Sequence, residues 1–562
     1  MNRYEGGCTT VVIGKKASAT GHVLIGHNED DDKSIVMVHS VPHEKHEAGE
    51  FVTFGDRPGV KIPQVRETAG YIWSEVRRPN GGISFGDSFF NEYGVAVVTN
   101  SANPGKAPED ENGSQDPYLA TMGLGYGVRR LVAERAKTAR EGLDVIIELV
   151  EKYGYFSSRT YQIADKDECW AVMLTRGKRL VAKRVPDDEV YFMPNHYTIH
   201  ALEPSDKKTF YYTPDIVDFA IENGWYTPAK PGDYSDFDFA QAYQGMDRPY
   251  NMARARNGWG ILGFEKEWED CVAAGNWRPF SFKAHRKYTI EDCKALLRSH
   301  YEGRPDFLQD WVAYTDQWKV ETPAGGGCGR ATSDSLIRWE KIADGWRKGS
   351  TGALSGSDAR PGSALRQDPS AIEGTPTQYP RDPHHALDDP YTICCGSTVE
   401  STVVDFADDP AATCVYRAWR KPCTNPYVPL FIGNLKVPSS YAWMRRELAD
   451  ATHFDPPAEE FVYDPSTAFW NYENLIWQSE LDYGYAHSVF GPDIERIEAD
   501  WAGEIAEVRA KYEELKAEDP QLAKAYLSEF SDGKARFSLH WVRRTTQRIG
   551  KKKYLLNQNV PE

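Results

Sequence analysis

Cys8 heads an apolar run, Cys8-Thr9-Thr10-Val11-Val12-Ile13-Gly14, directly behind the pair Gly6-Gly7. If the Gly7–Cys8 bond is cut, one residue carries both a thiol and a free α-amine. A nucleophile then stands beside its own general base. Taken alone, Cys8 reads as a small buried apolar side chain near a chain end, so residues further along have to decide. Gly26-His27-Asn28-Glu29-Asp30 closes a second strand-like run. Two strands joined by a short connection bring the end of the second beside the start of the first. Asp30 could then hydrogen-bond the α-amine of Cys8, with His27 lining the nucleophile. Asp31 and Asp32 continue the charge, so a solvated acidic turn explains the same residues. Asn91-Glu92-Tyr93-Gly94, Asn100 and Met193-Pro194-Asn195-His196 offer uncharged amide donors of the kind an oxyanion needs. Turn chemistry accounts fully for Asn-Glu-Tyr-Gly and nearly so for Pro-Asn.

Other chemistry-bearing residues carry less. His39, His43 and His46 with Glu47 have ligand-like spacing but lie in a polar stretch expected to be exposed, without a second ligand set. The nine cysteines (8, 169, 271, 293, 328, 394, 395, 414 and 423) include no C-x-x-C pair, and Cys394-Cys395 is read as packing. Met1–Gly7 is polar and has no apolar core of a secretory leader, so reduced thiols in a cytoplasm are expected.

The elements that must position these residues are legible in outline. The 562 residues, 40% hydrophobic and 12% aromatic, can bury a large core. A net charge of −17 argues against nucleic-acid or anionic-membrane partners, and no apolar run is long enough for a membrane span. Strands are expected at 8–14, 23–26, 35–38, 94–98, 161–164, 170–174, 179–182, 401–404 and 428–432, several of them continuous apolar runs covered on both faces. One amphipathic helix is expected from Gly127 to Lys152, stopped by Gly154, a second near Ile290–Ser299, and a charged one with a solvated face near Pro492–Glu518. Strands, then helix, then strands suit a layered α+β sandwich with helices outside. Residues 345–390, rich in Gly, Ser, Pro and Asp, read as a loop-rich insertion.

In combination these motifs resemble a family. Cys8-Thr9-Thr10, Gly26 to Asp30 and Asn91 to Val95 are similar to the dipeptidase A family of cysteine dipeptidases. These are N-terminal nucleophile hydrolases related to choloylglycine hydrolase and penicillin V acylase. The similarity continues through Gly127 to Ala136, Lys183 to Glu189, His300 to Gly303, Ser397 to Ser401 and Val428 to Leu430, as far as about residue 480. The resemblance implies a four-layer αββα sandwich, divided as propeptide 1–7, core 8–344, insertion 345–390, return to the core 391–480 and a helical region 481–562. It implies that Cys8 is the nucleophile after autocatalytic loss of Met1–Gly7, that Asp30 contacts the α-amine, and that Asn195 (side chain) and Asn100 (backbone) are oxyanion donors. The Asn91-to-Asn100 spacing is one residue short of the choloylglycine pattern. His27 stands where relatives often carry Arg, and it is smaller and only partly charged near neutrality. For the family's second arginine the candidates are Arg256 and then Arg254. The implied reaction is dipeptide hydrolysis with no metal or cofactor, in a protein that forms homo-oligomers. Two alternatives stay open: the same chemistry on another N-acyl amide, and an unprocessed, non-catalytic member of the fold.

Overall fold

The protein is described here as a computed structural model covering residues 7–557, apart from 32–33, 80–81, 103–104, 107–122, 246–248, 302–338, 343–344, 349–391, 434 and 481–482. In chain order the sheet strands are β1 (Thr9–Ile13), β2 (Leu24–Asp30), β3 (Ile35–Val41), β4 (Tyr71–Arg77), β5 (Phe85–Asn91) and β6 (Ala96–Ser101). They continue as β7 (Arg159–Ala164), β8 (Cys169–Leu174), β9 (Leu180–Arg184), β10 (Glu189–Met193) and β11 (Phe210–Tyr212). The last are β12 (Ser281–Lys283), β13 (Thr398–Asp405), β14 (Cys414–Trp419) and β15 (Val428–Phe431). They form an antiparallel seven-stranded sheet in the order β12-β10-β1-β2-β13-β14-β15 and an antiparallel eight-stranded sheet in the order β11-β9-β8-β7-β6-β5-β4-β3.

The continuous apolar runs reflect burial on both faces of each sheet. Val12 and Ile25 from one sheet meet Phe90, Ala96, Val98 and Ala171 from the other, a dry layer between the two. Val11, Ile13, Leu24 and Phe192 point the other way. They are covered by helices α3 (Pro249–Ile261) and α4 (Ile290–Arg298) through Ala255, Trp259, Leu296 and Leu297. On the far side, Val97, Ile163 and Val172 pack under α1 (Val128–Arg135) and α2 (Ala139–Tyr153) through Leu131, Val132, Leu143 and Ile146. The layers are therefore helix, sheet, sheet, helix, as expected.

The single helix expected over 127–152 is two. Ala136 is extended at φ −91° and ψ 135°, and Thr138 starts α2 by accepting a hydrogen bond from the Glu141 N–H. Asn91 Nδ2 donates to the Ala133 and Ala136 carbonyls at 2.9 and 2.7 Å, taking up groups that the end of α1 leaves unpaired. The expected stop at Gly154 is found, with φ 74°.

The C-terminal part is helical: α5 (Ala468–Glu480), α6 (Tyr483–Glu518) and α7 (Pro520–Asn557). The charged helix near 492–518 is more than a solvated face. It begins at Tyr483, contains Pro492 and buries Ile494, Ile497, Trp501, Ile505, Val508 and Tyr512. Of the residues expected in an exposed stretch, His43 and Glu47 are exposed and His46 is half-buried, but His39 is 3% exposed, with Nε2 2.7 Å from Glu75; His43 pairs with Glu92 and His46 with Thr68. The insertion expected over 345–390 falls outside the described residues, apart from the part of a two-stranded ribbon at Gly345–Lys348, and so does the segment before Gly7. No helix among the described residues is long and apolar enough to cross a membrane.

Ile146 is wholly buried between α2 and the eight-stranded sheet. Truncating it leaves a cavity, so Ile146→Ala should lower the unfolding free energy by about 2–5 kcal/mol in urea denaturation of the full chain. A loss well below that range would mean that α2 does not seal this face.

Candidate active site

Pairing between β1 and β2 sets Thr9 opposite Asn28 and Thr10 opposite His27, which carries Cys8 to the level of Glu29. Side chains alternate along a strand. Cys8, Thr10, His27 and Glu29 therefore face the space between the sheets, while Thr9, Asn28 and Asp30 face the helix layer. The thiol, 2% exposed, donates to Glu29 Oε2 at 3.3 Å. Glu29 Oε2 lies 3.4 Å from His27 Nε2, which is itself 2.9 Å from Asp87 Oδ2. Asp87 comes from β5 of the facing sheet, beside a bulge: Ser88 has φ 49°, and the pairing skips a residue between Ile72–Phe90 and Ser74–Asp87. A bulge re-aims a neighbouring side chain. Here it coincides with the turn of Asp87 toward both His27 and Arg129, whose Nη1 is 3.2 Å from Asp87 Oδ1.

The hydrogen bonds fix the state of His27. The Thr10 hydroxyl donates to Asn100 Oδ1 at 2.6 Å, so at 2.9 Å from His27 Nδ1 it has to accept. Nε2 faces two carboxylates. Both nitrogens therefore carry protons, and His27 is an imidazolium. Burial opposes that charge, but the charge and hydrogen bond of Asp87, followed by those of Glu29, outweigh burial and lift His27 to about 9. Burial, then repulsion from Asp87, raises Glu29 to about 7. Burial also favours the neutral form of Asp87, yet Arg129 and His27 hold it below the usual carboxylate range. The thiol of Cys8 is pushed well above its ordinary value by burial and then by Glu29 and Asp30. His27, Glu29 and Asp87 also have ligand-type atoms within 4.8 Å of one another. The cations His27 and Arg129 already balance the two acids, so the cluster reads as a proton-holding network.

On the helix side, Arg254 is wholly buried. Its Nη1 donates to the Gly7 carbonyl, to the Cys8 carbonyl at 2.9 Å and to Thr9 Oγ1 at 3.1 Å. Its Nη2 donates to Asn195 Oδ1 at 2.6 Å and Asn251 Oδ1 at 2.7 Å. Asn251, Arg254 and Gly258 fall on one face of α3. That face comes close to β10, because a Cβ at Gly258 would meet Phe192 Cζ at 2.2 Å. The sequence put Arg256 ahead of Arg254. Two residues further round the helix, Arg256 leaves this face, and Arg254 is the arginine that reaches Cys8.

The structure brings together the other expected residues with different contacts. Asp30 accepts from Thr398 Oγ1 at 2.7 Å, and its buried Oδ2 has no hydrogen-bond partner among the described residues. Burial, tempered by Thr398 and Arg254, raises its carboxyl to about 7. Asn195 Nδ2 donates to the Ser101 carbonyl at 2.8 Å, leaving one amide hydrogen of the pair. The Asn100 side chain braces the Pro194 carbonyl at 3.2 Å and the Thr10 hydroxyl. Glu29, Thr10, Asp87 and Arg129 were missed from the sequence. The first two share the inward face of the two strands already identified, and that period-two pattern was the available signal.

This chain belongs to peptidase family C69, whose sequence profile matches residues 7–317, more than half of it. It is 26% identical over 304 residues to a probable dipeptidase of Salmonella dublin, covering 53% of this chain and 67% of that one. It is 28% identical over 311 residues to probable dipeptidase B of Lactococcus lactis, covering 54% and 62%, and 27% identical over 330 residues to dipeptidase A of Lactobacillus helveticus, covering 56% and 64%. The matched region thus spans about three fifths to two thirds of these relatives. Among solved structures, a conjugated bile acid hydrolase from Clostridium perfringens aligns at 9% identity with a TM-score of 0.28, over 76% of this chain and 93% of that one. Penicillin V acylase from Agrobacterium tumefaciens aligns at 16% identity with a TM-score of 0.19, over 33% and 49%.

The charge on His27 makes stability depend on pH with a definite sign. Its folded value of about 9 lies above the ordinary 6.5, so its contribution is complete below pH 6.5 and lost as the pH rises through 9. Glu29, ordinarily 4.5 and here about 7, acts in the same direction over a lower window. In a Cys8→Ala chain, which removes the thiol from the titration, Tm should fall as the pH is raised from 7 through about 9. His27→Gln should flatten that limb. A level profile in the Cys8→Ala chain would mean that His27 is neutral.

Proposed function

We propose that the protein is a cysteine dipeptidase whose nucleophile is exposed by self-cleavage at Gly7–Cys8. The observation that carries this reading is the grip on that one bond. The Gly7 carbonyl accepts from Arg254, while the thiol of the next residue rests on Glu29. In the uncut chain, Glu29 takes the thiol proton; with a carboxyl raised to about 7, it is near the strength a base needs at neutral pH. The sulfur adds to the Gly7 carbonyl carbon, and Arg254 stabilises the developing oxyanion. The C–N bond to Cys8 breaks as its nitrogen takes up a proton, leaving a thioester. Water hydrolyses it and releases the segment ending at Gly7.

The new α-amine then lies beside Asp30, whose unsatisfied buried Oδ2 is a ready partner for an ammonium. With a reference value near ~8, this amine can take the thiol proton itself. The thiolate attacks the peptide carbonyl of a dipeptide, and the remaining Asn195 amide hydrogen is a donor for its oxyanion. The ammonium returns its proton to the leaving amine, and water resolves the acyl-enzyme. Dipeptides are taken as substrates because the relatives are named for them. The acidic surface argues against a nucleic-acid partner, the cysteine thiols suit a reducing cytoplasm, and family resemblance supports a homo-oligomer.

Intact mass and N-terminal sequencing of the purified protein should show a chain beginning at Cys8. Cys8→Ala should stay uncut and inactive on a dipeptide panel, and Glu29→Gln should slow cleavage by about 10²–10⁴-fold while circular dichroism stays native. An uncut wild-type chain with full dipeptidase activity, or a Cys8→Ala chain that still hydrolyses dipeptides, would overturn the reading. Hydrolysis of N-acyl amides in preference to every dipeptide would keep the mechanism and replace the substrate.

A further inference from the structure

Apart from the cluster around Cys8, one other set of ligand-type side chains converges among the described residues. His300, Cys394 and Cys423 are all buried, and their donor atoms lie within 4.8 Å of one another. We propose that these three residues form a binding site for a divalent cation of the zinc class, built to clip the fold together rather than to take part in hydrolysis.

Two sulfurs and an imidazole are the donor set that selects a borderline-soft ion, and carboxylate-preferring Mg²⁺ or Ca²⁺ would be poorly served. Two thiolates balance the ion's charge. Three protein ligands leave a fourth position for water or another donor.

The backbones that carry the ligands are already fixed. His300 follows α4, whose Arg298 donates to the Pro422 carbonyl at 2.9 Å and to the Asn425 carbonyl at 3.3 Å. Those two residues flank Cys423 in the turn between β14 and β15. The Cys394 N–H donates to the Ser299 carbonyl at 3.1 Å, which sets it beside His300. The His300 ring packs edge-on to Tyr483 at 5.8 Å, restricting its rotation.

The positions along the chain give the site its purpose. His300 and Cys394 are far apart in the chain, so one ion would join these two positions to the β14–β15 turn. Cross-links between residues distant in sequence remove the most chain entropy from the unfolded state. Cys394 also leads into β13, whose Thr398 holds Asp30, so the clip would steady the strand behind the catalytic cluster without entering it.

The test uses the full chain purified under reducing conditions, with metal content read by mass spectrometry. The expected result is about one zinc per chain, falling at least about tenfold in Cys423→Ser and in His300→Gln, with Cys271→Ser as the unaffected control. Metal-stripped wild type titrated with Co²⁺ should give a thiolate charge-transfer band and tetrahedral d–d bands, absent in Cys423→Ser. Dipeptide hydrolysis by wild type should not track zinc occupancy at low temperature, while Tm should. A folded wild type that holds no zinc and gives no cobalt bands would overturn the proposal. So would a chain whose mass is lower by two hydrogens because Cys394 and Cys423 are joined as a disulfide. If the variants do not fold, the wild-type occupancy and cobalt titration still decide.

Discussion

The antiparallel register between β1 and β2 is the constraint on which the site depends. Thr10 opposite His27 carries Cys8 to the level of Glu29. Because a strand alternates its faces, the thiol then meets a carboxylate between the sheets while the carbonyls on either side of it meet Arg254 under the helices. A slip of one residue would exchange the two faces. It would put the thiol against α3 and leave Glu29 with no reason to be buried. The apolar residues Val11, Val12 and Ile13, covered on both sides, hold that register.

Burying so many ionisable groups is tolerable only because each has a partner of opposite charge or a hydrogen bond. Asp87 has His27 on one oxygen and Arg129 on the other, and Thr10 passes the network on to Asn100. The smaller His27 in place of an arginine does not leave the site short of positive charge. An imidazolium held at about 9 by two carboxylates is a cation at neutral pH. It differs from arginine in being able to give up its proton. The Cys8 sulfur, Glu29, His27 and Asp87 therefore form a continuous path along which a proton can be shared.

How much of this was legible follows the range of the interactions. The strand runs and the layered architecture rest on local periodicity and were readable, as was the pairing that sets the Cys8 strand beside the strand of His27 and Asp30. Glu29 lies in the same motif, and alternation from Cys8 through Thr10 on one strand and from His27 to Glu29 on the next puts them on one face. Asp87 and Arg129 arrive from the other sheet and its helix, and a bulge at Ser88 that no local pattern announces accompanies the turn of Asp87. The break between α1 and α2 did have a local sign. Thr138-Ala139-Arg140-Glu141 is a helix start inside a longer amphipathic run, and periodicity alone overrode it. Arg254 could be separated from Arg256 only with a helix in hand, since Asn251, Arg254 and the small Gly258 then share the face against β10.

In the proposed mechanism, Asp30 ties the electrostatics to the covalent step. In the uncut chain the nitrogen of Cys8 is an amide, neutral and without basicity, and one buried oxygen of Asp30 has nothing described to bond. An orphaned acceptor in a low-dielectric site is costly, and a carboxyl raised to about 7 reflects that cost. In the proposed reaction, cutting Gly7–Cys8 would replace the amide with an ammonium next to that oxygen. On the proposed route, the bond cleavage that creates the base would also supply the missing partner and so lower the energy of the cut state relative to the uncut one. On the proposed route, cleavage would be favoured by the folded structure and would follow folding, because Glu29, Arg254 and Asp30 meet at Cys8 only when the two strands and α3 are in place.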